Sequence, residues 1–325
     1  MKKVLIITYY WPPAGGVAVQ RVMKMAKYLK ELGWTPIVIT VDNGNYTLHD
    51  SSLLKEVADI TTFGASSFEP HAILSRKLFP KTKKKSKNIE RATTSKRSKL
   101  SVIIEFLAQL IRLNFFIPDS RIGWILPAVK TAKSIIEKEK PDIIFSTAPP
   151  YSVHLVAKKL AKDLSIPWVA DFRDPWVENL TYNVAPRLGL VKKLNARLEK
   201  QVLESADAVT CTGWKLRDLY ASKLDETKYS KFNVITNGYD IDSINYHAQK
   251  LDKFCITYIG TLYFQGLDES LFNVIATIIG ENPKFSDDFM LRFIGDVHPS
   301  AKALVSSIIP EENIEWHGFV PSERV

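Results

Sequence analysis

Short, wholly apolar segments alternate with amphipathic patterns along most of the chain, and this alternation limits the possible folds more than any other feature. Five apolar segments are predicted to form strands buried on both faces: Val4–Thr8, Pro36–Val41, Asp142–Thr147, Trp168–Phe172 and Ala208–Thr212. Between them, apolar residues recur with the period of about 3.6 residues that is typical of a helix. Strands and helices in alternation predict an α/β fold with a doubly wound parallel sheet.

The same pattern resumes after a turn at residues 237–240. Strands are predicted at 254–259, 289–294 and 313–317, with helices at 267–279 and 301–308. We therefore predict two domains, residues 1–240 and residues 241–325. A β-α-β unit takes roughly 30 residues, and three strands with two faces to cover make a poor domain. The second domain is therefore expected to be incomplete at Val325.

The composition excludes several classes of protein. The chain has 325 residues, of which 46% are hydrophobic and 24% charged, so it has ample material for folded cores. Its first apolar segment is too short for a signal peptide, and no segment approaches the roughly 18 apolar residues of a spanning helix. The two cysteines, Cys211 and Cys255, lack metal-ligand spacing and suit a reducing compartment. A cytoplasmic protein is predicted, with peripheral attachment to the inner face of the plasma membrane as a further expectation.

The net charge of +9 favours an anionic partner, and part of this charge is concentrated in one segment. Residues 76–99 contain eleven Lys or Arg and one acid, Glu90, which predicts a basic loop that is too polar to bury. Residues 100–117 then form the broad apolar face of an amphipathic helix. Two interpretations stay open: an ordinary core helix after a charged loop, or an anchor of residues 76–117 on an anionic membrane surface. Nucleic acid is not an expected partner, because the basic segment contains only Phe79 for base stacking.

Two adjacent glycines, Gly15 and Gly16, separate the first strand from the first helix. Ligands of open α/β sheets bind at the carboxyl ends of the strands. Paired glycines let backbone N–H groups approach an anion, and the dipole of the following helix favours negative charge. The turn is a candidate site for a diphosphate or a sugar, with a tight turn that binds nothing as the alternative. Since the third glycine of the dinucleotide fingerprint is missing, an NAD enzyme is disfavoured.

Seven segments of the chain resemble, in the same order, segments of family-4-type glycosyltransferases. They share this order over nearly the whole sequence and lie at residues 10–16, 50–53, 118–124, 141–144, 170–176, 235–240 and 258–262. The first of them reads Tyr-Trp-Pro-Pro-Ala-Gly-Gly. The resemblance implies a GT-B fold, which consists of two Rossmann-like domains. The first domain would hold the acceptor, and the second would bind the nucleotide sugar.

The activity implied by this resemblance is transfer of a hexose from a UDP- or GDP-sugar to a saccharide or lipid-linked acceptor of an envelope polysaccharide, with retained configuration. No metal and no cofactor are expected, since the nucleotide sugar is a substrate. Two alternatives stay open: a non-catalytic remnant of a GT-B protein, and a nucleotide-sugar epimerase or hydrolase on the same scaffold. The family's pair of donor-contacting glutamates would lie beyond Val325, so this chain alone is expected to lack part of its donor contacts.

Two acids and an arginine follow the strand predicted at 168–172, and they are the candidate catalytic residues. Arg173 could hold a phosphate bidentately, while Asp171 or Asp174 could orient or deprotonate an acceptor hydroxyl. The alternative is an ion pair that only fixes the loop. Several members of the resembling family have a histidine at the position of Asp171. His154, in the first turn of a helix, is expected to have a positioning or surface role.

The remaining candidate residues bind the donor or the acceptor. Asn237 and Gly238 form a turn that borders the donor cleft in the resembling family. Gly260, Thr261 and Gln265 lie where many members hold the donor diphosphate with an Arg after the first glycine and a Lys before the second. Thr261 and Gln265 replace these two basic residues. This departure predicts weaker donor binding, or other residues in the same role.

Overall fold

The computed structural model shows two compact units, Met1–Tyr239 and Asp240–Val325. It describes residues 1–42, 44, 46, 48–68, 99–179, 186–239, 251–264, 267–318 and 320. Each unit is built on a parallel sheet with helices, which confirms the predicted fold class. Most of the predicted basic loop, residues 76–98, lies outside the described residues.

The first unit contains a seven-stranded parallel sheet. Its strands are β1 (Lys2–Ile7), β2 (Trp34–Val41), β3 (Thr61–Ala65), β4 (Ile143–Ala148), β5 (Trp168–Phe172), β6 (Ala208–Cys211) and β7 (Phe232–Val234). The spatial order is β3-β2-β1-β4-β5-β6-β7, so the direction of winding reverses between β1 and β4. The apolar pattern did not predict β3 and β7, because these short strands lie at the edges of the sheet and contain exposed residues. In doubly wound sheets, ligands bind beyond the carboxyl ends of the strands at the reversal point.

Six helices accompany this sheet in the described part of the first unit. They are α1 (Val17–Glu31), α2 (Lys99–Phe115), α3 (Ile125–Glu139), α4 (Ser152–Leu164), α5 (Gly189–Ser205) and α6 (Trp214–Ala221). Helix α2 corresponds to the amphipathic helix predicted at 100–117. No helix in the described ranges combines the length and the apolar character that crossing a bilayer requires.

Alternate residues of β1 pack into two separate cores, one on each face of the sheet. Leu5 and Ile7 join a core that includes buried residues of α3 and α4. Val4 and Ile6 join a second core that contains the apolar face of α1. Burial on both faces explains why the strand is continuously apolar, as expected for a central parallel strand.

The second unit contains a three-stranded parallel sheet in its described residues. Its elements are β8 (Phe254–Ile259), α7 (Ser270–Glu281), α8 (Pro283–Asp288), β9 (Phe289–Ile294), α9 (Pro299–Ile308) and β10 (Ile314–Gly318). The strand order is β10-β9-β8. Helix α7 begins three residues later than the sequence pattern predicts. The Asp268 carboxylate accepts hydrogen bonds from the Ser270 backbone N (2.9 Å) and hydroxyl (2.5 Å), which stabilise a turn before the helix.

The carboxyl ends of β8 and β9 approach each other at two glycines. Gly295 has a φ of +127°, and a Cβ at this position would lie 2.2 Å from the Gly260 carbonyl oxygen. We expect Gly295→Ala to lower the free energy of unfolding of this unit by at least about 1–3 kcal/mol, through backbone strain and the steric overlap. Urea denaturation monitored by circular dichroism measures the change.

Gly280→Ala is the matched control for Gly295→Ala. Gly280 lies in α7, and a Cβ there would meet no atom within 4 Å. Alanine is the better helix former, so this variant is expected to be neutral or stabilised by up to about 1 kcal/mol. Equal stability of the two variants would contradict the proposed strain at Gly295.

Candidate active site

A cavity lies beyond the carboxyl ends of β1 and β4, where the winding of the first sheet reverses. Its volume is about 280 Å³, just below the roughly 300–1,000 Å³ of ligand pockets. Tyr10 from the loop after β1, and Pro149 and Pro150 from the loop after β4, form one side. Three arginines also line it: Arg112, Arg121 and Arg187. We call this pocket the arginine-lined cavity.

Asp119 is the one acid among the residues that line the arginine-lined cavity. Its carboxylate accepts hydrogen bonds from the Ser152 backbone N (2.9 Å) and hydroxyl (2.8 Å), and from the Arg121 backbone N (2.9 Å). Removal of the carboxyl group from water raises its pKa, while these hydrogen bonds act in the opposite direction. Because Ser152 is the first residue of α4, Asp119 caps this helix and fixes the loop that carries Arg121.

Arg121 lies against an aromatic ring at the same edge of the sheet. Its guanidinium carbon is 4.7 Å from the centroid of the Tyr9 ring, within the range of a cation–π interaction. The Tyr9 ring in turn packs edge-on against the buried Trp124 at 5.6 Å. The arginine is thereby supported by the core rather than extended into solvent.

The first predicted catalytic residue, Asp171, is fully buried and saturated with hydrogen bonds. Its Oδ2 accepts from the Thr147 hydroxyl (2.7 Å) and from Arg21 Nε (3.1 Å). Its Oδ1 accepts from the Thr210 hydroxyl (2.7 Å) and from Arg21 Nη2 (2.8 Å). A carboxylate held on both oxygens inside the sheet is poorly placed to take a proton from a substrate. The geometry therefore favours the alternative in which Asp171 forms an ion pair that fixes local structure.

Arg21 links Asp171 to the predicted turn at Asn237. Its guanidinium also donates to the Ile235 carbonyl (2.7 Å), the Thr236 carbonyl (3.1 Å) and Asn237 Oδ1 (3.0 Å). The segment after β7 is thus held beside α1 by the same side chain that neutralises Asp171. Sequence reasoning missed Arg21, because a single basic residue in an amphipathic helix carries no signal of its partner.

Arg173 is used within the fold. Its Nε donates to the Ala148 carbonyl at 3.1 Å, and its two terminal nitrogens donate to the carbonyls of Ala18 and Pro149. Burial lowers its pKa, and the carboxylate of Asp171 opposes this shift. Arg173 therefore joins the first turn of α1 to the loop after β4, instead of presenting its guanidinium to a phosphate.

Asp174 differs from its two neighbours because its side chain is exposed. Its backbone carbonyl accepts from the hydroxyls of Tyr220 (3.0 Å) and Tyr151 (3.3 Å), which fixes the main chain. Within the described part of the chain, no hydrogen bond engages its carboxylate. Of the three predicted catalytic residues, Asp174 is the one that is exposed.

The glycine turn before α1 is tied to a neighbouring loop. The Gly15 N–H donates to the Leu48 carbonyl at 3.0 Å, and the Asp50 N–H donates to the Pro13 carbonyl at 2.9 Å. A Cβ on Gly15 would lie 3.2 Å from the Cβ of Asp50. Gly16, with a φ of +90°, is exposed directly before the helix. The Gly15 N–H is therefore not available to an anion, so any anion-binding role of the turn falls to Gly16 and the first turn of α1.

The other predicted binding residues are distributed over the two units. Gly238 and Asn237 are exposed in the segment after β7 of the first unit. Gly260 follows β8 in the second unit, and its N–H donates to the Ile294 carbonyl at 2.8 Å. Thr261 is exposed, with its carbonyl accepting from the Tyr258 hydroxyl at 3.2 Å. Gln265 lies outside the described residues.

His154 is a core residue. Its Nδ1 lies 2.8 Å from the hydroxyl oxygen of Ser146, which accepts a hydrogen bond from Trp168 Nε1 at 2.7 Å. A hydroxyl oxygen can accept from both Trp168 and the ring, or donate to the ring, so this contact is compatible with either neutral tautomer of His154. Burial lowers the pKa of His154 to about 3. A surface role for this residue is wrong, because its side chain is completely buried.

Among the described residues, no group of three or more His, Cys, Asp or Glu side chains is placed to hold a metal ion. The free thiol of Cys211 is buried, and its pKa is raised to about 12, chiefly by burial, so it is not a reactive nucleophile.

Comparison with known proteins supports the resemblance found in the sequence. Residues 92–243 match the model of Glycosyltransferase Family 4. Sucrose-phosphate synthase from Thermosynechococcus elongatus is a similar solved structure, with a TM-score of 0.53 and 13% identity over 100% of this chain and 72% of the other. The apo form of the lipopolysaccharide outer core galactosyltransferase WaaB gives a TM-score of 0.54 and 14% identity over 99% of this chain and 69% of the other. A search of curated proteins finds no match.

These comparisons confirm the predicted resemblance to family-4-type glycosyltransferases and the GT-B fold. At such low identities, the solved structures support the fold alone. The matched family segment extends from residue 92 to residue 243, and it includes Arg112, Arg121, Asp174 and Arg187. The match to the family model is the finding that supports glycosyl transfer as the general activity.

Proposed function

We propose that this protein transfers a hexose from a UDP- or GDP-sugar to a saccharide or lipid-linked acceptor used for an envelope polysaccharide, with retained configuration. The observation that carries the proposal is the arginine-lined cavity at the reversal point of the first sheet, largely within the segment that matches the glycosyltransferase family. Concave sites at this position are where doubly wound sheets bind their ligands. In this proposal the acceptor occupies the first unit, in the cytoplasm or at the inner face of the plasma membrane.

Asp174 is the proposed group that orients or deprotonates the acceptor hydroxyl. It is the exposed carboxylate after β5, and its backbone carbonyl accepts a hydrogen bond from Tyr151, which follows the Pro149 and Pro150 of the cavity wall. Asp171 and Arg173 are positioning residues in this proposal, because their charged groups hold α1 and the neighbouring loops in place. A positioned acid–base group contributes roughly 10²–10⁴-fold to a rate.

The donor site is proposed at the carboxyl end of β8 in the second unit, around Gly260 and Thr261. The N–H of Gly260 is bonded within the sheet, whereas the side chain of Thr261 is exposed. A hydroxyl and nearby backbone groups can bind a diphosphate through hydrogen bonds, with less electrostatic attraction than the Arg and Lys typical of the family. In this proposal the nucleotide sugar is a substrate, and no cofactor or metal takes part.

Donor binding and turnover test this function in two steps. Calorimetry with UDP- and GDP-sugars measures donor affinity, and release of the nucleotide in the presence of membrane-extracted acceptors measures transfer. We expect one nucleotide class to bind and its sugar to be transferred. Absence of both binding and transfer with every donor would contradict the proposal. Conversion of a nucleotide sugar to its epimer without an acceptor would instead support the epimerase alternative.

Asp174→Asn is expected to lower the rate of sugar transfer by roughly 10²–10⁴-fold while leaving donor affinity unchanged. The amide keeps the size of the side chain but cannot accept the proton. Asp163→Asn is the matched control, because Asp163 lies on the surface in an ion pair with Lys133 at 2.8 Å, and its rate is expected to equal that of the unmodified protein. An unchanged rate in the Asp174 variant would rule out its proposed role.

A further inference from the structure

The arginine-lined cavity adjoins an exposed apolar surface on α2. Gln109, Arg112 and Leu113 of α2 line the cavity at the spacing of one helix face, together with Phe116 directly after the helix. Leu107, Ile111 and Phe115 form a neighbouring stripe at intervals of four residues, and they are 51%, 42% and 76% exposed. An apolar stripe next to a cationic pocket matches an acceptor that has both an apolar part and an anionic part.

The beginning of α5 extends this apolar surface. Asn114, near the end of α2, accepts a hydrogen bond from the Leu188 backbone N at 2.8 Å and donates to the Pro186 carbonyl at 3.2 Å. Leu188 and Leu190 are 63% and 78% exposed. These contacts place two exposed leucines beside the end of α2. We call Leu107, Ile111, Phe115, Leu188 and Leu190 together the apolar rim.

The charges of the cavity favour an anion. Arg112, Arg121 and Arg187 line it, and the carboxylate of its one acid, Asp119, is directed to Ser152 and to the Arg121 backbone. Arginine is suited to phosphate because its planar group donates two parallel hydrogen bonds. Arg187 directly precedes Leu188, so a cationic side chain and an apolar side chain are adjacent in the sequence.

We propose that the acceptor is a lipid-linked saccharide phosphate: its phosphate group binds Arg112, Arg121 and Arg187 in the cavity, its apolar chain lies along the apolar rim, and its saccharide carries the hydroxyl that receives the hexose. This inference rests on the proposed function and specifies the acceptor class of the same site. A membrane-embedded phosphate brings both chemistries together: the headgroup reaches the cavity, and the apolar rim enters the interface. The rim therefore orients the first unit so that the cavity opens toward the bilayer.

Sedimentation with phosphatidylcholine vesicles that contain a polyprenyl phosphate tests this inference. Vesicles that contain phosphatidylglycerol at equal charge serve as the reference, because a basic surface alone would bind both kinds equally. We expect at least roughly ten-fold tighter binding to the polyprenyl phosphate vesicles, the scale of one charge-assisted hydrogen bond. Equal binding to the two kinds of vesicle would overturn the inference.

Arginine variants show whether vesicle binding depends on the cavity or on surface charge in general. Arg112→Gln and Arg187→Gln are each expected to weaken binding to the polyprenyl phosphate vesicles by roughly ten-fold or more. Arg197→Gln is the matched control, since Arg197 is an exposed arginine on α5 and its loss removes the same charge. Thermal unfolding by circular dichroism confirms that each variant is folded. An equal loss in all three variants would overturn the role of the cavity.

Apolar variants and a soluble probe separate a lipid phosphate from a diffusible one. Phe115→Gln and Leu190→Gln are expected to weaken vesicle binding but to leave calorimetric binding of pyrophosphate unchanged, whereas Leu271→Gln, an exposed leucine on α7, changes neither. Pyrophosphate binding without a preference for polyprenyl phosphate vesicles would assign the cavity to a diffusible phosphate and overturn the lipid part. Sugar transfer to a saccharide that carries no phosphate would leave the proposed function standing while this inference fails.

Discussion

Replacing Asp171 with alanine is expected to lower the free energy of unfolding by about 3–5 kcal/mol, because the Arg21 guanidinium then stays in the protein without its counter-charge. The exposed fractions of the two side chains are 5% for Arg21 and 0% for Asp171. The hydroxyls of Thr147 and Thr210 also lose their acceptor. Urea denaturation monitored by tryptophan fluorescence measures the loss.

Two comparisons show whether the loss comes from the buried pair. Asp163→Ala breaks a surface ion pair with Lys133 and is expected to change stability far less. The double variant Arg21→Met with Asp171→Ala is expected to be more stable than the sum of the single changes predicts, because no unpaired charge remains. A stable Asp171→Ala protein that loses only its transfer rate would instead restore Asp171 as a candidate catalytic residue.

Acidification is expected to destabilise the first unit through His154. Burial disfavours the charged ring and lowers its pKa from the ordinary value of 6.5 to about 3 in the folded protein. Below pH 6.5, His154 takes up a proton in the unfolded chain but stays neutral in the folded protein. The contribution of His154 to stability is therefore fully present above pH 6.5 and is lost as the pH falls toward 3. A shift of this size corresponds to a loss on the order of 5 kcal/mol across that window.

The variant His154→Gln isolates this contribution, because glutamine can accept from Ser146 but does not titrate. The difference in unfolding free energy between the unmodified protein and this variant should shrink as the pH falls from 6.5 to 3. Chemical denaturation at a series of pH values measures it. His49→Gln, at an exposed histidine, serves as the matched control. A constant difference for His154→Gln would contradict the lowered pKa.

Protonation of His154 in this pH range also affects the packing around the candidate site. His154, Ser146 and Trp168 form one hydrogen-bonded chain below the carboxyl ends of β4 and β5. The His154 ring packs on Phe172 with a centroid distance of 4.4 Å, directly before Arg173 and Asp174. Protonation of His154 would therefore disturb the packing next to the carboxyl ends of the strands that carry the candidate site.

Local patterns predicted much of the fold. Strands β5, β8 and β9 begin and end where their apolar segments do. For β5 the reason is burial within the sheet, since a strand buried on both faces must be apolar throughout. The glycine turn before α1 and the family resemblance were also available from the order of residues. In contrast, the edge strands β3 and β7 were missed because their exposed residues relax that requirement.

The chemistry of the candidate site depended on distant contacts. Asp171, Arg173 and Asp174 form one short polar segment, yet Asp171 is neutralised by Arg21, 150 positions away in the sequence. Arg173 is directed to carbonyl groups of the first turn of α1, the end of β4 and the loop after β4. The sequence does not show which of these side chains forms an ion pair and which bonds to carbonyl groups. Hydrogen-bond partners are set by the packing of helices and strands and not by neighbours in the chain.

The sequence by itself determined the α/β class, the parallel sheets and the resemblance to family-4-type glycosyltransferases, because strand burial and helix periodicity are local properties. Only the tertiary structure brought Arg112 and Arg187 to the loops after β1 and β4 and placed the apolar rim beside them. Those residues come from α2 and from the start of α5, which are far apart in the sequence. Their meeting depends on the reversal of strand order between β1 and β4, which gathers separate loops at one edge of the sheet.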